Sequence, residues 1–141
     1  MKREIKFRGK CSRQSKYAGQ WVYGNLLVPE EIQGDEVMIV KALSDYASCT
    51  YHVDVNSVGQ FTGLTDKKGR EIYEGDVLRI NNGAVICLLV VTWNAEVGSW
   101  CLRFKEESKE GTRPLGRWLC DRDYDIELTG NIYDNKELLE E

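Results

Sequence analysis

Apolar and polar residues alternate with period two along most of this chain, the spacing of strands with one covered face. In Glu4-Ile5-Lys6-Phe7-Arg8, Ile5 and Phe7 share one face and the charges share the other. Gln20 to Val28 forms a second predicted strand, stopped by Pro29. Val37 to Lys41 follows the turn Gln33-Gly34-Asp35, and Tyr51, Val53 and Val55 then alternate with His52 and Asp54. Beyond Gly59 the turns become dense. Asp66-Lys67-Lys68-Gly69 places glycine where positive φ costs little, and Asn81-Asn82-Gly83 is a hairpin signal. Ala84 to Trp93 is apolar on both faces and rich in β-branched residues, which predicts a central strand covered on both sides. Trp100, Leu102 and Phe104 form one further alternating set, and Tyr124, Ile126 and Leu128 form another. The charged stretch Lys105 to Gly116 reads as a loop, and Trp118 and Leu119 open a further ordered segment. Helix is expected in two places only: a capped C-terminal turn over 134–141, and one turn over Ala42 to Ser48. Short strands separated by turns every eight to twelve residues or so favour a small barrel or sandwich.

The chain has 141 residues, 42% hydrophobic and 30% charged, a globular composition of one-domain size. No apolar run is long enough for a membrane helix, and no apolar segment follows the charged start as a secretory signal would require. The net charge of −4 counts mildly against a nucleic-acid partner. Its distribution is uneven. Residues 1–16 carry seven cations against one carboxylate, and residues 121–141 carry two cations against eight. Glu4 to Arg8 near a free terminus reads as an edge strand, with Lys6 and Arg8 as contacts for the acidic tail of another copy. A homo-oligomer is the expected result. A different protein is the other expected kind of partner.

Candidate chemistry is sparse. The five cysteines, Cys11, Cys49, Cys87, Cys101 and Cys120, are odd in number and contain no CxxC pair. That pattern indicates free thiols in a reducing, cytoplasmic compartment rather than a zinc or redox motif. His52 is the single histidine and has no nucleophile or ligand set at a recognisable spacing. Glu74 and Asp76 flank Gly75, where a turn and a strand start account for them. No catalytic residue, metal ligand or cofactor is assigned. Lys67, Lys68 and Arg70, with Phe61 and Tyr73 nearby in sequence, are the candidate contact to a partner, or in a second reading to single-stranded nucleic acid.

Three blocks carry a resemblance. They are Arg3 to Lys10 with Trp21-Val22-Tyr23-Gly24, then Val58 to Val77, which includes Thr62-Gly63-Leu64-Thr65-Asp66, and finally Ile126 to Leu139. In that order they resemble the YopX family of phage and prophage proteins. The resemblance implies a β-rich fold whose later half is a small SH3-like barrel. Together with the strand pattern this gives an all-β reading: an N-terminal β segment over 1–57 packed on an SH3-like barrel over 58–133, with a short C-terminal helix over 134–141. The resemblance further implies a phage- or prophage-encoded protein working inside a bacterium, and it implies no reaction.

Overall fold

The computed structural model describes residues 3–13, 15–31, 36–104 and 111–139. The chain is all-β in character and divides into two compact units, Met1–Phe61 and Thr62–Glu141.

In the first unit, β1 (Phe7–Lys10), β2 (Trp21–Leu27), β3 (Glu36–Ala42) and β4 (Ser48–Asp54) pair antiparallel in the order β4-β3-β2-β1. Alternation along β3 buries Val37 and Ile39, which meet Val53 of β4. Phe7, Val22, Leu26, Tyr51, Val55 and Val58 pack around these three. The sheet curls. Past the end of β1, Cys11 bridges Val53, and the Ser12 amide donates to the His52 carbonyl at 3.1 Å. Gly9 permits this approach, since a Cβ there would fall 2.8 Å from Val53 Cγ2.

The structure corrects the sequence reading here in three ways. The first strand is not an edge. It begins at Phe7, and Phe7 and Arg8 pair with Gly24 and Tyr23 on one side and with Gln60 and Gly59 of β5 (Gly59–Thr65) on the other. Ile5 precedes the strand and is 59% exposed. Arg8 is only 6% exposed, because its guanidinium lies 4.8 Å over the Trp21 ring, a contact that lets a cation occupy a covered position. Lys6 is 3.2 Å from Glu4 and lies over the Phe61 ring. Second, Ala42 to Ser48 is a hairpin turn, not a helical one. The Ala42–Ser48 pair continues the β3–β4 ladder, so cross-strand bonds claim the backbone that a single helical turn would need. Third, Val55 leaves the strand for a 3₁₀ turn, Val55–Ser57, in which the Asp54 carboxylate accepts from the Asn56 amide. The turn assigned to Gln33-Gly34-Asp35 lies outside the described residues.

In the second unit, a hairpin joins the end of β5 to β6 (Glu71–Tyr73). An antiparallel sheet then forms from β7 (Asp76–Asn81), β8 (Ile86–Asn94), β9 (Ser99–Arg103) and β10 (Asp125–Asn131), in the order β10-β7-β8-β9. One core gathers Ile72, Leu78, Ile80, Leu89, Val91, Leu102, Leu115 and Ile126. The Asn81-Asn82-Gly83 signal forms the β7–β8 turn, with Asn82 donating to the Val85 carbonyl. β8 is buried on both faces only over Leu89–Val91, while Ile86 and Trp93 are exposed. Phe104 lies beyond β9 and is exposed. A helix, α1 (Leu115–Cys120), stands where a loop ending at Gly116 was read. Six residues are too few for a helical period to show, but Leu115, Trp118 and Leu119 reach the core from one short segment. The C-terminal turn is 3₁₀, Lys136–Leu139. Residues 105–110 of the expected loop lie outside the described residues.

All five cysteines are free thiols. Burial pushes the Cys11 and Cys87 thiols up, which makes them less reactive while the protein is folded. Thiol titration of denatured, freshly purified protein should therefore count five reactive groups. A count of one or three would indicate disulfide pairing and an oxidising origin.

Candidate functional site

The loop joining β5 to β6 is built around one carboxylate. The Gly69 amide donates to the Asp66 carbonyl at 3.0 Å, and the Asp66 amide to the Arg70 carbonyl at 2.9 Å. Gly69 has φ +79°, so the turn needs a residue that tolerates the left-handed region. The Asp66 side chain is 0% exposed. Its Oδ1 accepts from the amides of Lys68 and Arg70 at 3.0 and 2.9 Å. Its Oδ2 accepts from Arg70 Nε at 2.8 Å and from the Leu128 amide of β10 at 3.3 Å. Burial alone would raise the Asp66 carboxyl, but the hydrogen bonds from Arg70, Leu128 and Lys68 outweigh it and hold the group below its ordinary value.

The three predicted cations fan out from this turn towards β10. Period-two alternation puts Asp125 and Glu127 on one face of that strand. Lys67 pairs with Asp125, Lys68 Nζ lies 2.6 Å from Glu127, and Arg70 Nη2 lies 3.5 Å from Glu127. The bond to Asp125 raises the Lys67 pKa. The bonds from Lys67 and Lys68 lower those of Asp125 and Glu127 respectively. Lys67, Lys68 and Arg70 thus come together, but as one half of an ionic cluster rather than as an open basic stripe. Part of the C-terminal acidic excess is neutralised by this hairpin. Asp66, which organises the cluster, carried no functional assignment in the sequence. Its signal was the Asp-x-x-Gly turn itself.

Each pair is exposed on at least one side, so each contributes little alone. Replacing Lys67 and Lys68 together with alanine should leave the protein folded. Its urea midpoint should move less than on removal of Asp66, as chemical denaturation would show.

A second cluster surrounds α1. The Arg113 guanidinium stacks 4.4 Å over Trp118 and 5.7 Å from Tyr124, and the two rings meet edge to face at 5.0 Å. Arg113 Nη2 also lies 2.7 Å from Asp121 Oδ2, a bond that lowers the Asp121 pKa. Beside this stack is an open cleft of about 600 Å³ lined by Arg113, Pro114, Gly116, Arg117, Cys120 and Asp121. Sequence reasoning missed it, because Arg113 fell within a stretch read as loop.

The remaining candidates take structural places. His52 Nδ1 lies 3.5 Å from Glu36 on the exposed side of β4. Asp76 is buried and accepts from the Tyr73 amide at 2.7 Å, while Gly75 supplies the bend at φ +88°. Among the described residues no three His, Cys, Asp or Glu side chains are grouped to hold a metal ion. Among them, too, no helix is long and apolar enough to cross a membrane.

Two curled or paired antiparallel sheets, with an aspartate-centred hairpin locked against the last strand, define a small two-unit β protein. The chain belongs to the YopX family, whose model, described as YopX protein, matches residues 6–140. Among solved structures it is similar to the crystal structure of protein EF1440 from Enterococcus faecalis. The TM-score is 0.59 at 21% identity, covering 99% of this chain and 100% of that one. At that identity the likeness concerns the fold. No curated protein matches the chain.

Proposed function

We propose that this is a non-enzymatic accessory protein of phage or prophage origin that acts in the cytoplasm of a bacterial host by binding protein, whether further copies of itself or a host or phage partner. One observation carries the reading. The basic cluster in which the sequence suggested phosphate contacts, Lys67, Lys68 and Arg70, is matched by Asp66, Asp125 and Glu127. Nucleic-acid affinity comes mainly from releasing counterions around unmatched cations. A hairpin already neutralised by carboxylates offers little of that gain, and the net charge of −4 adds long-range repulsion.

The test is retention on single-stranded DNA and RNA columns across salt, run beside a pulldown from bacterial lysate with and without nuclease. The expected result is no retention at physiological salt and a captured set that nuclease leaves unchanged. Salt-sensitive retention that disappears in the Lys67→Ala/Lys68→Ala variant would overturn this reading in favour of a nucleic-acid-binding small barrel.

A further inference from the structure

We infer that the turn between β3 and β4 of one copy docks into the cleft beside α1 of a second copy, joining subunits head to tail. This rests on the protein-binding reading and assigns it two surfaces. The turn is the most exposed apolar feature described. Tyr46 is 100% exposed and Leu43 60%. Its shape is set in advance, because the amides of Leu43 and Ser44 both donate to the Ala47 carbonyl, at 2.9 and 3.2 Å, and the Tyr46 amide lies 3.3 Å from Ser44 Oγ. A tyrosine held out on a pre-formed turn gives up little conformational freedom on binding, and tyrosine is enriched among the residues that dominate interface energy.

The cleft offers the complementary chemistry. Its volume of about 600 Å³ accommodates large side chains, and its wall is mainly carbon surface. Charge selects the occupant. Arg117, exposed on this wall, has no carboxylate partner among the described residues, whereas Arg113 is already paired with Asp121. Asp45, between Leu43 and Tyr46 on the turn, has no cation partner among the described residues. Seating Leu43 and Tyr46 in the cleft brings the Asp45 carboxylate to the Arg117 guanidinium, so the copy carries both halves of one contact. Such an interface is heterologous. Each subunit uses a turn of its first unit and a cleft of its second, so assembly ends in a closed ring or runs on as a filament.

Light scattering and sedimentation over protein concentration test this with four proteins: wild type, Tyr46→Ser, Arg117→Glu, and the exchange Asp45→Lys/Arg117→Glu. All the changed positions are exposed, and circular dichroism confirms that each variant is folded. The wild-type mass should rise above 16.2 kDa with concentration. Each single variant should weaken association roughly tenfold or more, and the charge exchange should restore it. Mixing Tyr46→Ser with Arg117→Glu should give a one-to-one complex and nothing larger, since one keeps an intact cleft and the other an intact turn. A wild-type mass fixed at 16.2 kDa overturns the inference, as does assembly that neither single variant alters or that the exchange fails to restore. The protein-binding reading survives each of these results and falls only to retention on nucleic acid.

Discussion

Replacing Asp66 with alanine should destabilise the protein by about 2–4 kcal/mol, the cost of stranding buried donors that lose a charged acceptor. Four donors converge on this carboxylate: the amides of Lys68, Arg70 and Leu128, and Arg70 Nε. Arg70 is partly exposed and can turn to water, and it retains Glu127. The amides are fixed by the turn and by β10 and have no such freedom. The same group gives the fold an acid-sensitive component. The folded Asp66 carboxyl has a lowered pKa, so the folded form binds a proton less readily than the unfolded chain does. Its contribution is complete above the ordinary aspartate value of about 3.9, and it is lost as pH falls through the lower folded value. Asp121, Asp125 and Glu127 shift in the same direction and add to this trend. Urea midpoints measured from pH 7 to pH 3 should therefore fall for the wild type and fall less steeply for Asp66→Asn. Parallel curves would show that Asp66 is not the group responsible.

Gly69→Val should cost roughly 1–3 kcal/mol. At φ +79° a β-branched side chain is strained even though nothing lies within 4 Å of the position its Cβ would take. The open space separates backbone strain from collision. Gly69→Asn, which accepts this φ more readily, should recover most of the loss. If both variants have the wild-type midpoint, the turn adopts another geometry in solution.

These two residues mark what was legible in the sequence. Turns governed by neighbours were readable. Asp66 to Gly69, Asn81 to Gly83 and Glu74 to Asp76 each form the bend that their local chemistry specifies. The strand pattern likewise carried the all-β class. What failed was information held far along the chain. Lys67 and Asp125 are 58 residues apart, and no local pattern says that a basic turn meets an acidic strand. Arg8 looked solvent-facing because alternation assigns charges outward, yet Trp21 covers it. The first strand looked like an edge because it is near a terminus, but strand order depends on β5, which the chain reaches only at Gly59. Helix α1 escaped because six residues are too few to show a period.

The order in which the chain is synthesised gives the last strand particular weight. β7 has β8 on one side as soon as both exist, but its other neighbour, β10, arrives only after β8, β9 and α1. The Leu128 amide that meets Asp66 comes 62 residues after it. On the ribosome, the flank of β7 therefore stays open and Asp66 lacks its β10 partner until β10 itself has emerged. An open strand flank pairs readily with other chains. A chain cut short before Asp125 should consequently yield an aggregating product rather than a smaller soluble one, which makes β10 a quality checkpoint for the translated chain.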